Sequence, residues 1–366
     1  MATMLARRSV LGFARTFSSR RGAKRAGRPS YVDDSDAFSL GSAMSLKAID
    51  RVLDDESRRI RGEPSRDEGR QRRWAAAMEK KNARKQSLDY LQQPLFRAGS
   101  VAGKTFGARS LLDYVAVATG QFPGPIHIIT MPDDEAPFAT ALASMRVVGI
   151  DCESRPQMFG RYDPPVAMVQ VASHDLSLLY RVRYTSAQDG LTVIQPAFPA
   201  LQALLADANI VKIGHGCKSD FQGIQKDGIA PVIRSTLDTL PVASGIGCLK
   251  PNLAALGLIW QSLRIDKAMQ TSDWECPELS LEQIVYAATD AWMARQVMLS
   301  MLQISASHKL VHVVDYLPDG RALKGKNSRE TIAQLCALAQ AEGVDRAWEP
   351  ALALSMPTND GDIYTM

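Results

Sequence analysis

Four acidic side chains and one phenol carry the most chemical information in this sequence of 366 residues. They lie in three short segments, Asp151-Cys152-Glu153, the glycine-rich stretch that ends at Asp220, and Tyr286 to Asp290. Four carboxylates that converge on one pocket cannot all stay ionised unless positive charge lies between them. A pair of divalent cations supplies that charge, so the residue types indicate phosphodiester chemistry.

The first two acids are expected at the end of a buried strand. Side chains alternate between the two faces of a strand, so Asp151 and Glu153 project from one face while Ile150 and Cys152 project from the other. An Asp-x-Glu pair taken alone also fits a polar turn at a strand end. The strand therefore favours a shared carboxylate site without requiring one.

The third segment is expected on a helix that faces the core. Ser280 and Gln283 fit a capping box that begins this helix. Tyr286 and Asp290 then lie four residues apart on one face, and an apolar stripe continues from them through Met293. An inward-facing Asp without a partner is costly or protonated, so a buried salt bridge or cap is the alternative to a metal ligand.

Asp220 is expected in the first turn of a helix, directly after Gly214-His215-Gly216. Glycines there allow the backbone to approach closely. An acid in this position also interacts favourably with the helix dipole, which is the alternative to a catalytic role.

Taken together, the three segments resemble the motifs of the DEDD superfamily of 3′–5′ exonucleases, in the subgroup whose third motif is Tyr-x-x-x-Asp. Residues 146–153, 212–220 and 286–290 match the first, second and third motifs. Residues 249–256, 265–267 and 271–274 resemble the text between the motifs in the ribonuclease D and Werner-type branch. The likeness extends over residues 126–303.

This resemblance implies a metal-dependent 3′–5′ exonuclease that releases nucleoside 5′-monophosphates from the 3′ end of DNA or RNA. In such an enzyme Asp151, Glu153 and Asp290 bind one Mg²⁺ or Mn²⁺ ion. Asp151 bridges to a second ion that Asp220 supports, and Tyr286 orients the attacking water and the phosphate. Lys218 and Lys267 are the candidates for phosphate contacts.

The order of elements predicts an α/β or α+β domain with a mixed central sheet in residues 123–304. The resemblance implies that this domain has the ribonuclease H-like (DnaQ-like) α/β fold, with helices flanking the sheet. Hydrophobic periodicity predicts strands at 126–129, 146–152, 166–172, 176–182 and 210–213, a further strand after Gly228, helices at 133–144 and 198–206, and mostly helix from there to residue 302.

The segments on either side of this domain are expected to be less regular. Residues 31–100 are polar and mixed in charge, and residues 31–122 are expected to form an arm that is mostly disordered or partly helical. Residues 305–356 are expected to form a small appendage with a strand at 308–314 and a helix at 329–342. Residues 357–366 are expected to be a disordered tail.

The positive charge of the chain is concentrated at its N-terminus. The net charge is +4, but the first 30 residues contain eight Arg or Lys and no acid, and residues 126–303 have 13 basic and 18 acidic residues. The basic, Ser-containing segment predicts a targeting presequence, with mitochondrial import favoured over a disordered basic tail, a nuclear signal or a plastid address. The acidic core implies that bound metals and local cations hold any nucleic acid.

Composition narrows the remaining function classes. The five cysteines form no CxxC pair, which argues against a zinc site or a disulfide framework and favours a reduced intracellular compartment. No apolar run is long enough to cross a bilayer. The expected partner is a single-stranded or frayed 3′ end. A scaffolding subunit of an organellar complex remains the alternative to an enzyme, and DNA and RNA substrates are not separated.

Overall fold

The computed structural model describes residues 76, 79–80, 88–114, 117–156, 164–195, 197–325, 329–344 and 347. All of these residues lie in the second of the two units into which the chain divides, Arg66–Met366. The predictions for residues 1–30 and for the tail at 357–366 lie outside the described residues.

The described part of the chain is built around a mixed sheet. The strands are β1 (Ile126–Ile129), β2 (Val147–Ser154), β3 (Val166–Ala172), β4 (Ser177–Arg181), β5 (Arg183–Thr185), β6 (Thr192–Ile194), β7 (Val211–Gly214), β8 (Ile233–Asp238), β9 (Val314–Tyr316) and β10 (Ala322–Lys324). Eight of them are hydrogen-bonded in the order β1-β4-β3-β2-β7-β8-β9-β10, and β5 and β6 form a separate hairpin. β2 pairs antiparallel with β3 and parallel with β7, so it occupies the centre of the sheet.

Helices cover both faces of the sheet and bury two apolar clusters. One cluster lies beneath the 21-residue helix α8, which packs across the central strands. The helices are α1 (Leu88–Gln92), α2 (Val101–Phe106), α3 (Ala139–Ser144), α4 (Pro199–Ala206), α5 (Lys218–Lys226), α6 (Thr239–Ile246), α7 (Leu253–Gln261), α8 (Leu281–Met301) and α9 (Arg329–Ala341). Within the described ranges, no helix has both the length and the apolar character that a membrane span requires.

The predicted α/β architecture and mixed sheet are confirmed, with β1 and β3 placed at the predicted residues. The helix predicted at 133–144 is wrong as a single element. A 3-10 helix spans Pro132–Phe138 and α3 follows, because Pro137 has no N–H to donate to a regular α-helix. The hairpin of β5 and β6 had not been predicted.

The boundaries expected on either side of the domain also need correction. Part of the arm predicted for 31–122 is packed: from Leu95 to Phe122 the described residues, here called the N-terminal strap, bury several large apolar side chains against α7 and α8. The strand predicted at 308–314 is wrong, since Ser305–Leu310 is a 3-10 helix. β9 and β10 instead extend the main sheet beyond β8.

Candidate metal centre

Strand β2 presents two carboxylates on the face that α8 covers. Asp151 and Glu153 alternate with Ile150 and Cys152, which pack with the opposite cluster, as the strand period predicts. Because the first half of β2 is fully buried between β3 and β7, its direction is fixed by neighbours on both sides. The two carboxylates therefore project from a rigid central strand.

Helix α8 brings the third acid to this strand. The predicted capping box is present: the Ser280 hydroxyl accepts the N–H of Gln283, and the Gln283 side chain accepts the N–H of Ser280. Tyr286 and Asp290 follow on the inward face, and both are almost completely buried. The cap fixes where the helix begins and hence which residues face β2.

A glycine allows the close approach of α8 to β2. A Cβ atom built on Gly149 would lie 1.8 Å from the carbonyl oxygen of Ala291, the residue after Asp290. Only a residue without a side chain fits this crossing. Gly149 therefore sets the separation between Asp290 on the helix and Asp151, two residues further along β2.

Three carboxylates form the centre of the site. One oxygen from each of Asp151, Glu153 and Asp290 lies within 4.8 Å of the other two. Burial, Asp220 and Asp290 raise the pKa of Asp151 well above its usual value. Burial, Asp151 and Asp290 raise the pKa of Glu153 well above its usual value. Bringing these acids together lowers the stability of the folded protein, because buried like charges repel one another.

Asp220 lies at the edge of this cluster, in the first turn of α5 as predicted. Burial, followed by the charge of Asp238, raises the pKa of Asp220 to about 7. Its charge in turn raises the pKa of Asp151. Asp220 is thus a fourth acid whose charge acts on the carboxylate cluster.

The loop before Asp220 is held by a residue that had not been singled out. Asp238 Oδ1 accepts the N–H of Gly216 at 2.8 Å and the N–H of Leu240, at the start of α6, at 2.9 Å. Gly216 adopts a φ of +65°, which favours glycine. Asp238, the residue directly before α6, was a readable N-cap signal.

Two cationic candidates occupy different positions. Lys267 Nζ lies 2.5 Å from Asp290 Oδ2 and 5.2 Å from the centroid of the Tyr286 ring. It therefore supplies positive charge directly at the carboxylate cluster. Lys218 is exposed at the start of α5.

Tyr286 is held next to the acids by aromatic packing. Its ring lies 5.9 Å from that of the fully buried Trp274, with an interplanar angle of 33°. Burial, together with the charges of Asp290 and Glu153, raises the pKa of the Tyr286 phenol far above its usual value. The hydroxyl therefore keeps its proton at neutral pH and can donate a hydrogen bond.

The donor set fits a divalent cation. Asp290 Oδ1 is buried and has no hydrogen-bond partner among the residues that the structure describes, although its other oxygen is paired with Lys267. A buried carboxylate oxygen without a partner carries a large desolvation penalty that a metal ion removes. The surrounding ligands are carboxylate oxygens, which hard divalent cations prefer.

One buried amide beside the cluster had not been noticed from the sequence. Gln170 on β3 is directly opposite Asp151 in the antiparallel register and is fully buried. Neither polar atom of its side chain has a hydrogen-bond partner within the described part of the chain. A polar residue in the apolar strand Val166–Ala172 was the only available signal.

The chain is similar in sequence to known exonucleases and ribonucleases. The profile of a 3′–5′ exonuclease family matches residues 126–305. The human protein named exonuclease 3′-5′ domain-containing protein 2 is 29% identical over 167 residues, which are 44% of this chain and 26% of that protein. Ribonuclease D of Acidiphilium cryptum is 28% identical over 181 residues, 48% of this chain and 42% of that protein.

Among solved structures, the EXO domain of Aedes aegypti Nibbler has a TM-score of 0.44 and 17% identity, over 59% of this chain and 99% of that domain. The matched part of this chain spans about a quarter of the length of the human relative. The three motif segments all lie within the part that the family profile covers.

Proposed function

We propose that residues 126–305 form an exonuclease domain of the DEDD superfamily, and that this chain removes nucleotides from nucleic-acid 3′ ends. One observation carries the proposal: the three clustered carboxylates of Asp151, Glu153 and Asp290 come from the first and third motifs of that superfamily. The expected products are nucleoside 5′-monophosphates, because the bond broken lies between the phosphate and the 3′-oxygen.

Mg²⁺ or Mn²⁺ is the proposed cofactor. Asp151, Glu153 and Asp290 would hold one ion, and Asp220, which is electrostatically coupled to Asp151, would help to hold a second. When bound, such ions neutralise phosphate charge and lower the pKa of an attacking water. The all-oxygen donor set is typical of Mg²⁺ and Mn²⁺ rather than of zinc.

Three side chains that are not proposed as metal ligands would contact the substrate or the attacking water. The protonated hydroxyl of Tyr286, fixed against Trp274, would orient the attacking water or a phosphate oxygen. The ammonium of Lys267 lies close enough to the carboxylates to contact a phosphate held there. Lys218 would contact the backbone of a neighbouring nucleotide from the start of α5.

The proposed substrate is a single-stranded or frayed 3′ end. Residues 126–303 contain 13 basic and 18 acidic residues, a balance of charge that does not favour electrostatic binding of a duplex. Nucleic acid would therefore be attracted mainly through the metal centre and the nearby lysines. Contacts to the 2′-hydroxyl decide between RNA and DNA, and the assay below measures that preference.

The test uses matched RNA and DNA oligonucleotides labelled at the 5′ end, with Mg²⁺, Mn²⁺ or EDTA. The wild-type protein should give a ladder of products shortened from the 3′ end with either ion and none with EDTA. Asp151→Ala and Asp290→Asn should abolish it, whereas the control Asp189→Asn, in an exposed loop, should not. Normal shortening by both active-site variants would refute the proposal and leave the scaffolding role.

We also propose that the protein acts in mitochondria. The support is the composition of the first 30 residues, which contain eight basic and no acidic side chains. A C-terminal fluorescent fusion should co-localise with a mitochondrial marker, and deletion of residues 1–30 should release it into the cytosol. Nuclear fluorescence of the full-length fusion would contradict this proposal.

A further inference from the structure

A buried arginine connects the C-terminal segment to the helix that carries Asp290. Arg295 on α8 is 2% exposed. Its Nε donates to the carbonyl oxygen of Val147 at 3.0 Å, and its Nη1 donates to the side chain of Gln296 at 3.0 Å. Its two terminal nitrogens donate to the two oxygens of Glu342 at 2.6 Å each. The guanidinium thus contacts α8, β2 and the residue that follows α9 at once.

We propose that Glu342 is a positioning residue for the metal centre and acts through Arg295. It lies outside the matched family segment, which ends at residue 305. The bidentate ion pair fixes the orientation of the planar guanidinium, and the guanidinium fixes where α8 lies along β2. The metal ligands on these two elements are aligned by this contact.

The geometry explains how the contact reaches the ligands. Arg295 is five residues after Asp290, or about 7.5 Å along the helix axis. Val147 is four residues before Asp151, or about 13 Å along an extended strand. Between them α8 crosses β2 at Gly149, where a Cβ atom would also lie 3.3 Å from Arg295 Cβ. Movement of α8 about this crossing would change the distance between the carboxylates of Asp290 and Asp151.

The segment that carries Glu342 is itself docked on α8. Helix α9 buries Ile332, Leu335 and Ala339 in the cluster beneath α8. The hydroxyl of Ser300, on the last turns of α8, donates to the carbonyl oxygen of Val344 at 2.9 Å. The carboxylate is therefore presented from a packed element, and its loss would leave a buried cation without its counter-charge.

The experiment compares Glu342→Gln with Glu135→Gln. Glu135 is buried and accepts two N–H groups, those of Ala200 and Leu201, but it lies with the cluster on the other face of the sheet. Both substitutions replace a hydrogen-bonded carboxylate by an amide at almost constant volume. Thermal denaturation measures the stability of each variant, so that a loss of Mn²⁺ binding can be separated from a loss of folding.

Mn²⁺ binding is measured by electron paramagnetic resonance without nucleic acid, well below the melting temperature of every variant. Glu342→Gln should weaken Mn²⁺ binding about tenfold or more, as is typical when the support of a metal ligand is removed. It should lower kcat by a similar factor while the KM for the oligonucleotide changes less than about threefold, since misplacement acts on the chemical step. Glu135→Gln should bind Mn²⁺ like the wild-type protein.

Mn²⁺ affinity and kcat of Glu342→Gln within twofold of wild type would overturn the proposal. So would an equal loss of affinity in Glu135→Gln. If Glu342→Gln does not fold, Glu342→Asp tests the same contact, because it keeps the charge but withdraws it by one methylene. Wild-type affinity in Glu342→Asp would then overturn the proposal. The kinetic arm rests on the proposed exonuclease function, whereas the binding arm remains informative if wild-type protein degrades no oligonucleotide.

Discussion

Replacement of Gly149 by Ala tests whether the crossing of α8 and β2 controls the site. The added Cβ would lie 1.8 Å from the carbonyl oxygen of Ala291 and 2.6 Å from its carbonyl carbon. Real Cβ atoms essentially never approach closer than 3.0 Å, so helix and strand must separate by at least 1.2 Å, the difference between 3.0 and 1.8 Å. Both contacts are to backbone atoms, so no side-chain rotation can relieve them.

The separation should affect stability and activity differently. Overpacking of this kind typically destabilises by about 1–3 kcal/mol, which a protein of ordinary stability tolerates. A displacement of about 1 Å at reacting groups can lower the rate by about 100-fold. Gly149→Ala should therefore remain folded but lose roughly two orders of magnitude in kcat.

The assay is single-turnover shortening of a 5′-labelled oligonucleotide at saturating Mn²⁺, with circular dichroism to verify folding. The matched control is Gly223→Ala in α5, where the nearest atom to a new Cβ is a side-chain methyl of Val166 at 3.1 Å. This control should keep its activity. A folded Gly149→Ala protein with a rate within threefold of wild type would refute the reasoning that the crossing distance sets the catalytic geometry.

Three further predictions concern stability. The pKa of Asp220 is about 7 in the folded protein and 3.8 in its usual range, so without metal the folded protein binds a proton between these pH values that the unfolded chain does not. In EDTA the free energy of unfolding should therefore fall as pH rises from about 4 to 7. The Mn²⁺-induced rise in Tm should consequently be larger at pH 8 than at pH 5, and equal rises would contradict this electrostatic account. A fragment of residues 126–305 lacks five buried apolar side chains whose burial contributes about 8–15 kcal/mol: Leu95, Phe96, Phe106, Tyr114 and Phe122. It should therefore show no cooperative thermal unfolding, whereas a fragment of residues 88–347 should unfold cooperatively. Gln170→Leu should raise the free energy of unfolding, measured in urea, by about 1–3 kcal/mol, because the buried amide lacks hydrogen-bond partners among the described residues. A decrease would show that the amide is hydrogen-bonded in the folded protein.

The sequence was sufficient to predict the features that depend on local periodicity. The alternation along β2 placed Asp151 and Glu153 on one face, and the cap at Ser280 placed Tyr286 and Asp290 on another. These predictions succeeded because a strand repeats every two residues and a helix every 3.6, so the position of one residue fixes the rest. The order of the motifs then indicated that this strand and this helix contribute to one site.

Features that depend on distant partners could not be predicted. The N-terminal strap was included in an arm expected to be mostly disordered, and its apolar residues belong to the core because they pack with α7 and α8. Thr289 accepts the N–H of Phe122 from 167 residues away, and no local pattern signals such a bond. β9 is three residues long and exists because β8 offers an edge.

One error has a more local cause. The prediction of a single helix at 133–144 ignored Pro137, whose effect on an α-helix is readable from sequence. The position of Lys267 beside Asp290, in contrast, required the tertiary structure, because the two residues lie on different elements 23 positions apart. Its role towards phosphate stays a prediction.

The contact between Arg295 and Glu342 also has a consequence for biosynthesis. The ribosome makes Glu342 47 residues after Arg295, a delay of roughly 2–9 s at ordinary elongation rates of about 5–20 residues per second. During that interval the nascent chain contains all three motif segments, but Arg295 has no Glu342 to bind. Assembly of the carboxylate cluster is therefore expected to finish late in translation, after the motifs themselves have been made.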